Sequence, residues 1–283
     1  MDMPTTGRRC NIALSALFLI IATCFFSCQG DLPNVLDSRQ FTKAKLEKLG
    51  SLIRPGVMEQ CVILPKESPY DTSVYWYVQT LYNQATGTIH RDLQSAPSNR
   101  WDMNRLWEVH IIDDSSLQHA FVLPGGDLFI TTGMLRSFKE EYELYYLLTF
   151  EALLMHRGHL LDRLILEYNS LTLNNIIEEN SGANNITATI LANELPFLVF
   201  EQKIVRETDK EVLSSVCHTS LMEPAGIVPY LDSPHSEGSR WLQTRPSYDN
   251  RAGSLTTSSE SMWSCGRQKG IGNYRRYVLN ALQ

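Results

Sequence analysis

The sequence predicts an α+β fold that is mainly helical, with a small β-sheet packed against a long helix. Between residues 107 and 131, short apolar runs separated by turn residues indicate three strands. On both sides of this segment, apolar residues recur every three or four positions, which is the period of a helix with one buried face. Such a sheet packed on helices is typical of an α+β domain.

The composition allows one good-sized domain with a leader and a tail. The chain has 283 residues, of which 43% are hydrophobic and 20% are charged, so that a substantial core is expected. The formal net charge is -6, and there is no clustered basic segment. The sequence therefore gives no reason to expect a nucleic-acid partner.

The N-terminal segment predicts export. Arg8 and Arg9 precede an uncharged, mostly apolar run over residues 12–27, which is shorter than the roughly 20 residues that span a bilayer. It fits the apolar part of a signal peptide over residues 1–27. The run ends at a Ser-Cys pair that resembles the lipobox of bacterial lipoproteins. This resemblance implies a lipid on Cys28, with Cys24 as the alternative acceptor, and a plain cleaved signal or an anchor helix as further alternatives.

Of the six cysteines, Cys10 and Cys24 lie within the predicted signal peptide and Cys28 follows it; the others are Cys61, Cys217 and Cys265, and no pair of these three has the CxxC spacing of a zinc knuckle. One disulfide among them is possible in an oxidising compartment, but the spacing does not choose the pair.

Residues 28–70 are expected to form a tether and an N-terminal helix, with the helix over residues 41–53. Residues 72–84 predict a helix, although their aromatic content also suits a strand. The strands are expected at 107–112, 120–123 and 128–131, with a tight Pro-Gly-Gly-Asp turn before the third and a short helix over 133–138.

The second half of the chain predicts helices. One long helix is expected over residues 140–168, with Glu151 as the single charge on its apolar face. The later elements are a loop at 181–185, a helix from 187 to about 221 interrupted near Pro196, and a short helix over 223–231. Residues 233–270 are rich in Ser, Gly and Pro and are interpreted as loosely packed, with residues 256–283 as a C-terminal tail.

Residues 107–135 carry a resemblance to a known family. They read WEVHIIDDSSLQHAFVLPGGDLFITTGML, which resembles the edge-strand motif of the HtpX/BepA-type zinc metallopeptidases, the prenyl-protease group of gluzincins. The resemblance extends over about residues 71–255 and implies a zincin-like metallopeptidase domain. In that family an unfolded chain is added as a strand along this edge. The resemblance thus implies a peptide-binding edge at Phe121, Pro124, Gly125, Gly126 and Phe129.

The chemical motifs of that family are altered. The segment that matches HExxH reads Phe-Glu-Ala-Leu-Leu, which keeps Glu151 as a vestigial general base and replaces both histidines by Phe150 and Leu154. Glu207 matches the third ligand of the family. Arg245 replaces the histidine that helps stabilise the transition state in the family, and Arg251 follows at the matching offset.

A catalytic zinc needs three protein ligands and one open position. Since Phe and Leu cannot coordinate, we expect no metal and no other cofactor, and interpret the domain as a degenerate peptidase. A buried carboxylate needs a partner, and we expect Glu151 to pair with Arg245. A different metal site at His156, His159 and Asp162, on one predicted helix, is the less favoured interpretation of that polar stripe.

Three hypotheses on function follow. The favoured one is a non-catalytic, chaperone-like lipoprotein of the bacterial envelope, held at the periplasmic or outer face of a membrane, with unfolded or envelope polypeptides as partners. The second is an active zinc metalloendopeptidase that uses substitute ligands. The third is a purely structural envelope subunit.

Overall fold

The structure is a computed structural model that describes residues 38–66, 69–93, 107–178, 182–219, 222–236, 238–262 and 264–283. These are called the described residues below, and they belong to one compact unit. The predicted signal peptide, Cys28 and Cys24 lie outside them.

Two helices precede the sheet. Helix α1 spans Lys43–Gln60 and begins at Thr42, whose side chain accepts a hydrogen bond from the Lys45 amide. Helix α2 spans Pro69–Leu93, so the alternative of a strand in this segment is wrong. The buried side chains of α2 recur at helical spacing and include Val74, Val78, Leu81, Tyr82, Ala85 and Ile89.

The sheet has three strands, β1 (Val109–Ile112), β2 (Ala120–Val122) and β3 (Leu128–Thr131). Strand β3 is central, parallel to β1 and antiparallel to β2. The turn between β2 and β3 contains Gly125 at φ 90° and Gly126 at φ 100°, a backbone conformation that favours glycine. The strands and the turn were predicted from the sequence and are confirmed.

Both outer edges of the sheet are covered. Beside β1, the Leu64 amide donates to the Ile111 carbonyl at 2.8 Å, and the Asp113 amide donates to the Val62 carbonyl at 2.7 Å. Beside β2, the residues Ala120 and Val122, whose backbone groups face away from β3, are buried. A polypeptide therefore has no open strand to join in this arrangement.

The segment after the sheet forms α3 (Thr132–Ser137), α4 (Glu141–His156), α5 (His159–Tyr168) and α6 (Ser170–Glu178). The prediction of one helix over 140–168 is wrong, because Gly158 adopts φ 81° and ends the first helix. Every residue of α4 is buried, so the sheet does pack on a helix that is covered on all sides. The fold class, α+β and mainly helical, is confirmed.

Helix α7 (Gly182–Glu194), a 3₁₀ turn (Leu195–Phe197) and helix α8 (Gln202–Thr219) follow. The interruption near Pro196 is confirmed, whereas the loop predicted at 181–185 is wrong from Gly182 onward. Helix α7 packs closely on α1, since a Cβ added to Gly56 would lie 2.8 Å from Cβ of Ala192. Tertiary packing of this kind overrides a weak local helix propensity.

The C-terminal elements are α9 (Val228–Leu231), α10 (Arg240–Thr244), α11 (Arg251–Glu260), α12 (Ile271–Tyr274) and a π-helix (Arg275–Leu279). The interpretation of this part as loosely packed is wrong. Side chains that are fully or almost fully buried occur throughout, at Trp241, Leu255, Tyr274 and Val278. A disulfide joins Cys217 of α8 to Cys265, which selects one of the pairings that the sequence left open.

Candidate functional site

Glu151 lies near the middle of α4 and has no exposed surface. Its Oε2 accepts a hydrogen bond from Nη2 of Arg245 at 2.7 Å, and its Oε1 accepts one from Nε1 of Trp241 at 2.8 Å. The expected pairing with Arg245 is present, while Trp241 was missed by the sequence analysis. Both donors come from α10 and the residue that follows it, so this short helix covers the carboxylate.

Burial raises the pKa of Glu151, and the guanidinium of Arg245 opposes that effect together with the Trp241 N–H. The charged and the neutral donor partly compensate for the burial of this carboxylate. Neither a peptide carbonyl nor an attacking water has access to its oxygens, because the side chain is completely enclosed. This geometry does not suit a general base.

A second buried ion pair lies beside the first. Asp209 of α8 accepts two hydrogen bonds from Arg251, each at 2.9 Å, and one from the Tyr146 hydroxyl at 2.7 Å. Both members of the pair are buried, and the two parallel N–H···O bonds give a fixed orientation. The spacing in the sequence indicated Arg251 as a site residue, but it did not indicate the pairing with Asp209.

Aromatic rings connect the two ion pairs. The rings of Phe150 and Trp241 meet edge to face at 5.6 Å, and the Arg251 guanidinium lies 5.8 Å from the Phe150 ring and 5.6 Å from the Trp241 ring. We call Phe150, Glu151, Asp209, Trp241, Arg245 and Arg251 the ion-pair core. Its two guanidinium charges balance its two carboxylate charges without any further ion.

The residues at this position do not fit a catalytic zinc. Phe150 and Leu154 are fully buried apolar side chains without donor atoms. The described residues contain no group of three or more His, Cys, Asp or Glu side chains that could hold a metal ion. The oxygens of Glu151 are already bound by Arg245 and Trp241.

Glu207, which the resemblance gave as the third ligand, does not face the ion-pair core. Val205 and Asp209 lie one helical turn apart on α8 and are both fully buried, whereas Glu207 is only half-buried. Residues two apart in a helix differ by about 200° around its axis, so Glu207 belongs to another face. That assignment is therefore corrected: Val205 occupies the inward position one turn before Asp209, and the i, i+4 spacing of the two residues is the signal that could have found it.

The alternative metal site at His156, His159 and Asp162 is also not formed. Gly158 ends α4, so that His156 lies at the end of one helix, and His159 and Asp162 lie at the start of the next. Burial lowers the pKa of His159, against the opposing effect of nearby acidic groups.

The predicted peptide-binding edge is not an open surface. Phe129 lies on the central strand, and its ring stacks on that of Phe121 at 5.2 Å, with both side chains buried. The turn residues Pro124, Gly125 and Gly126 pack on neighbouring elements. The Pro124 carbonyl lies 1.8 Å from the place where Gly50 of α1 would carry a Cβ. This prediction is corrected because α1, which the sequence analysis left outside the domain, covers the turn.

Gly126 is fixed by two aromatic residues. A Cβ on Gly126 would lie 2.0 Å from the Trp107 ring, and its carbonyl accepts a hydrogen bond from the Tyr82 hydroxyl at 2.8 Å. The turn therefore requires glycine at this position, both for its positive φ and for the space.

His119 connects β2 to the 3₁₀ turn before α8. Its Nε2 lies 2.7 Å from the Pro196 carbonyl, which can only accept, so Nε2 carries the hydrogen. Burial lowers the pKa of His119 to about 3, and the charge of Arg245 contributes to this shift. The imidazole is therefore neutral at pH 7.

No family model matches the chain, and the comparison with curated proteins finds distant similarities. The mitochondrial metalloendopeptidase OMA1 of Bos taurus is 30% identical over 166 residues, which are 52% of this chain and 31% of that protein. The same enzyme of Homo sapiens is 29% identical over 164 residues, which are 51% of this chain and 31% of that protein. The chain thus spans about a third of the length of these curated relatives. Half of the chain is distantly similar to part of a metalloendopeptidase, which supports a metallopeptidase-like domain.

Proposed function

We propose that this chain is an exported, membrane-anchored lipoprotein with a degenerate metallopeptidase domain of the HtpX/BepA type, which binds polypeptides without cleaving them. The observation that carries the non-catalytic part is the enclosure of Glu151, whose two oxygens are bound by Arg245 and Trp241.

The chemistry of the ion-pair core supports this proposal. In a zinc peptidase the metal lowers the pKa of its bound water to about 7. Here the positive charge beside Glu151 is the guanidinium of Arg245, which donates hydrogen bonds and has no site for a water ligand. The inward positions that would need donor atoms hold Phe150, Leu154 and Val205.

The anchoring part rests on the N-terminal sequence. None of the helices in the described part of the chain has the length and apolar character to cross a membrane. Attachment through a lipid on Cys28 would supply the anchor. Metabolic labelling with a radioactive fatty acid tests this: label is expected on the full chain and on Cys24→Ser, and its loss is expected in Cys28→Ser. If the label stayed on Cys28→Ser and disappeared from Cys24→Ser, the lipid attachment site would be Cys24 and not Cys28.

The binding part rests on exposed apolar side chains. Among the described residues nine large apolar side chains are exposed, and six of them lie between residues 166 and 199. These six are Leu166, Leu171, Ile186, Ile190, Phe197 and Val199. Where such side chains adjoin one another in the fold, they are typical of a binding surface.

Metal content and proteolysis test the proposal together. The full chain is purified in detergent, its zinc is measured, and casein is incubated with it with and without a chelator. We expect zinc far below one equivalent and no chelator-sensitive cleavage, and Glu151→Gln serves as the matched variant. Stoichiometric zinc with cleavage that Glu151→Gln abolishes would instead favour a metalloendopeptidase with substitute ligands. Failure to crosslink to any unfolded polypeptide would favour a structural envelope subunit.

A further inference from the structure

A cavity of about 480 Å³ lies between α5 and the start of α8. This volume is within the range of protein sites that enclose a small ligand or a side chain. One of its walls is the ring of Phe200, which on another side contacts the Arg245 guanidinium at 5.2 Å. The cavity is therefore next to the ion-pair core and is separate from the buried turn between β2 and β3.

The walls of the cavity are largely apolar. Leu166 of α5, Phe200 in the segment before α8 and Ile204 of α8 contribute the aliphatic and aromatic surface. Leu166 is 61% exposed and gives the cavity an apolar wall that solvent reaches. Val199, also exposed, is next to Phe200 in the chain and joins this surface to Arg163, whose Nε donates to the Val199 carbonyl at 2.9 Å.

The charged residues around the cavity are mainly acidic. Asp162 of α5 and Glu201, just before α8, are exposed carboxylates that line it. Arg163 also lines the cavity, but its guanidinium is 2.8 Å from the Glu167 carboxylate. His159, the remaining titratable group of the lining, is held neutral at pH 7 by burial, which lowers its pKa. The rim is therefore negative, and it favours a cation.

We propose that this cavity binds a Lys or Arg side chain of a polypeptide, with the apolar stem along Leu166, Phe200 and Ile204 and the charged end between Asp162 and Glu201. Lys and Arg combine a long apolar stem with a terminal positive charge. The stem matches the apolar walls of the cavity, and the charge matches its acidic rim. This inference rests on the proposed polypeptide binding and names the class of residue that is recognised.

The test uses the full chain in detergent and two fluorescent, end-blocked peptides of sequence Leu-Leu-Lys-Leu-Leu, one with free lysine and one with ε-acetyl-lysine. Acetylation removes the charge and keeps the stem. We expect fluorescence anisotropy to give roughly tenfold tighter binding of the lysine peptide, as for the loss of one charge-assisted hydrogen bond. Glu201→Gln is expected to remove most of that difference.

Glu178→Gln is the matched control, because Glu178 is an exposed carboxylate of α6 that lies beside Lys45 and does not line the cavity. Equal binding of the two peptides, or equal effects of Glu201→Gln and Glu178→Gln, overturns the inference and leaves polypeptide binding in place. Binding of neither peptide, with no binding of unfolded casein, overturns both proposals. Displacement of the lysine peptide by an equal concentration of 1,4-diaminobutane shows that a free diamine suffices, and overturns the assignment to a polypeptide.

Discussion

The ion-pair core and the turn between β2 and β3 belong to one compact unit, but different physical requirements determine their residues. In the turn, Gly125 and Gly126 adopt positive φ, and a Cβ on Gly126 would collide with the Trp107 ring. The ion-pair core contains a balanced set of two carboxylates and two guanidinium groups. The difference teaches that backbone conformation and space determine the residues of one region, whereas the pairing of buried charges determines those of the other.

The largest effect on stability is expected when only one partner of an ion pair in the ion-pair core is removed. Arg245→Met leaves Glu151 buried without its charged partner, and the free energy of unfolding is expected to fall by about 3–5 kcal/mol. The double variant Glu151→Met with Arg245→Met removes both charges and is expected to recover most of that loss. Urea unfolding measures both. An Arg245→Met protein as stable as the parent would show that the core does not depend on charge balance.

The second largest effect is expected from the disulfide that holds Cys217 of α8, the helix that also carries Asp209. The disulfide between Cys217 and Cys265 spans 48 residues of chain, and closing a loop of this length stabilises a fold by about 4 kcal/mol in the chain-entropy description. Cys217→Ser is expected to lower the free energy of unfolding by about 2–4 kcal/mol under oxidising conditions. Cys61→Ser, at the free and half-buried cysteine, is the control and is expected to change it much less.

The next prediction tests whether the turn between β2 and β3 requires glycine at position 126. Gly126→Ala is expected to cost about 2–3 kcal/mol of unfolding free energy, because the added Cβ meets the Trp107 ring and the backbone φ is positive. Gly87→Ala is the matched control, since a Cβ there meets nothing within 4 Å and the residue lies in α2. It is expected to stabilise the protein by about 0.5–1 kcal/mol. If thermal or urea unfolding gave similar changes in unfolding free energy for both variants, the turn would not specifically require glycine at position 126.

The smallest effect concerns acid stability at His119, which lies between the two regions. Its folded pKa of about 3 is below the value of about 6.5 for an unfolded chain, so the unfolded state binds the proton first on acidification. Stability is therefore expected to fall below pH 6.5 with a slope of at most about 1.4 kcal/mol per pH unit from this group, which amounts to about 2 kcal/mol between pH 7 and pH 5. His119→Gln is expected to lose less stability than the parent between pH 7 and pH 5 in urea unfolding. Parallel pH profiles would assign the acid sensitivity to other groups.

The features that could be predicted from the sequence are those that depend on residues close together in the chain. The strands, the turn and the interruption at Pro196 follow from alternation, glycine and proline, which act locally. The contact between Glu151 and Arg245 was expected because the family resemblance gave the register. The break at Gly158 was missed, since a single glycine in an apolar periodic segment does not reveal a positive φ.

The rest required tertiary structure. Asp209 and Arg251 are 42 residues apart, and nothing in either local sequence indicates that they pair. Likewise, α1 covers the Pro-Gly-Gly turn and thereby buries it, and neither segment indicates this contact on its own.

The covered borders of the sheet have a consequence for crowded surroundings. Strands with free backbone groups recruit further strands from other molecules and lead to aggregation, a hazard that rises with local concentration. Here residues 62–64 shield one border, and the other is enclosed as well. Copies concentrated in the plane of a bilayer would thus meet through side chains and not polymerise through their main chains.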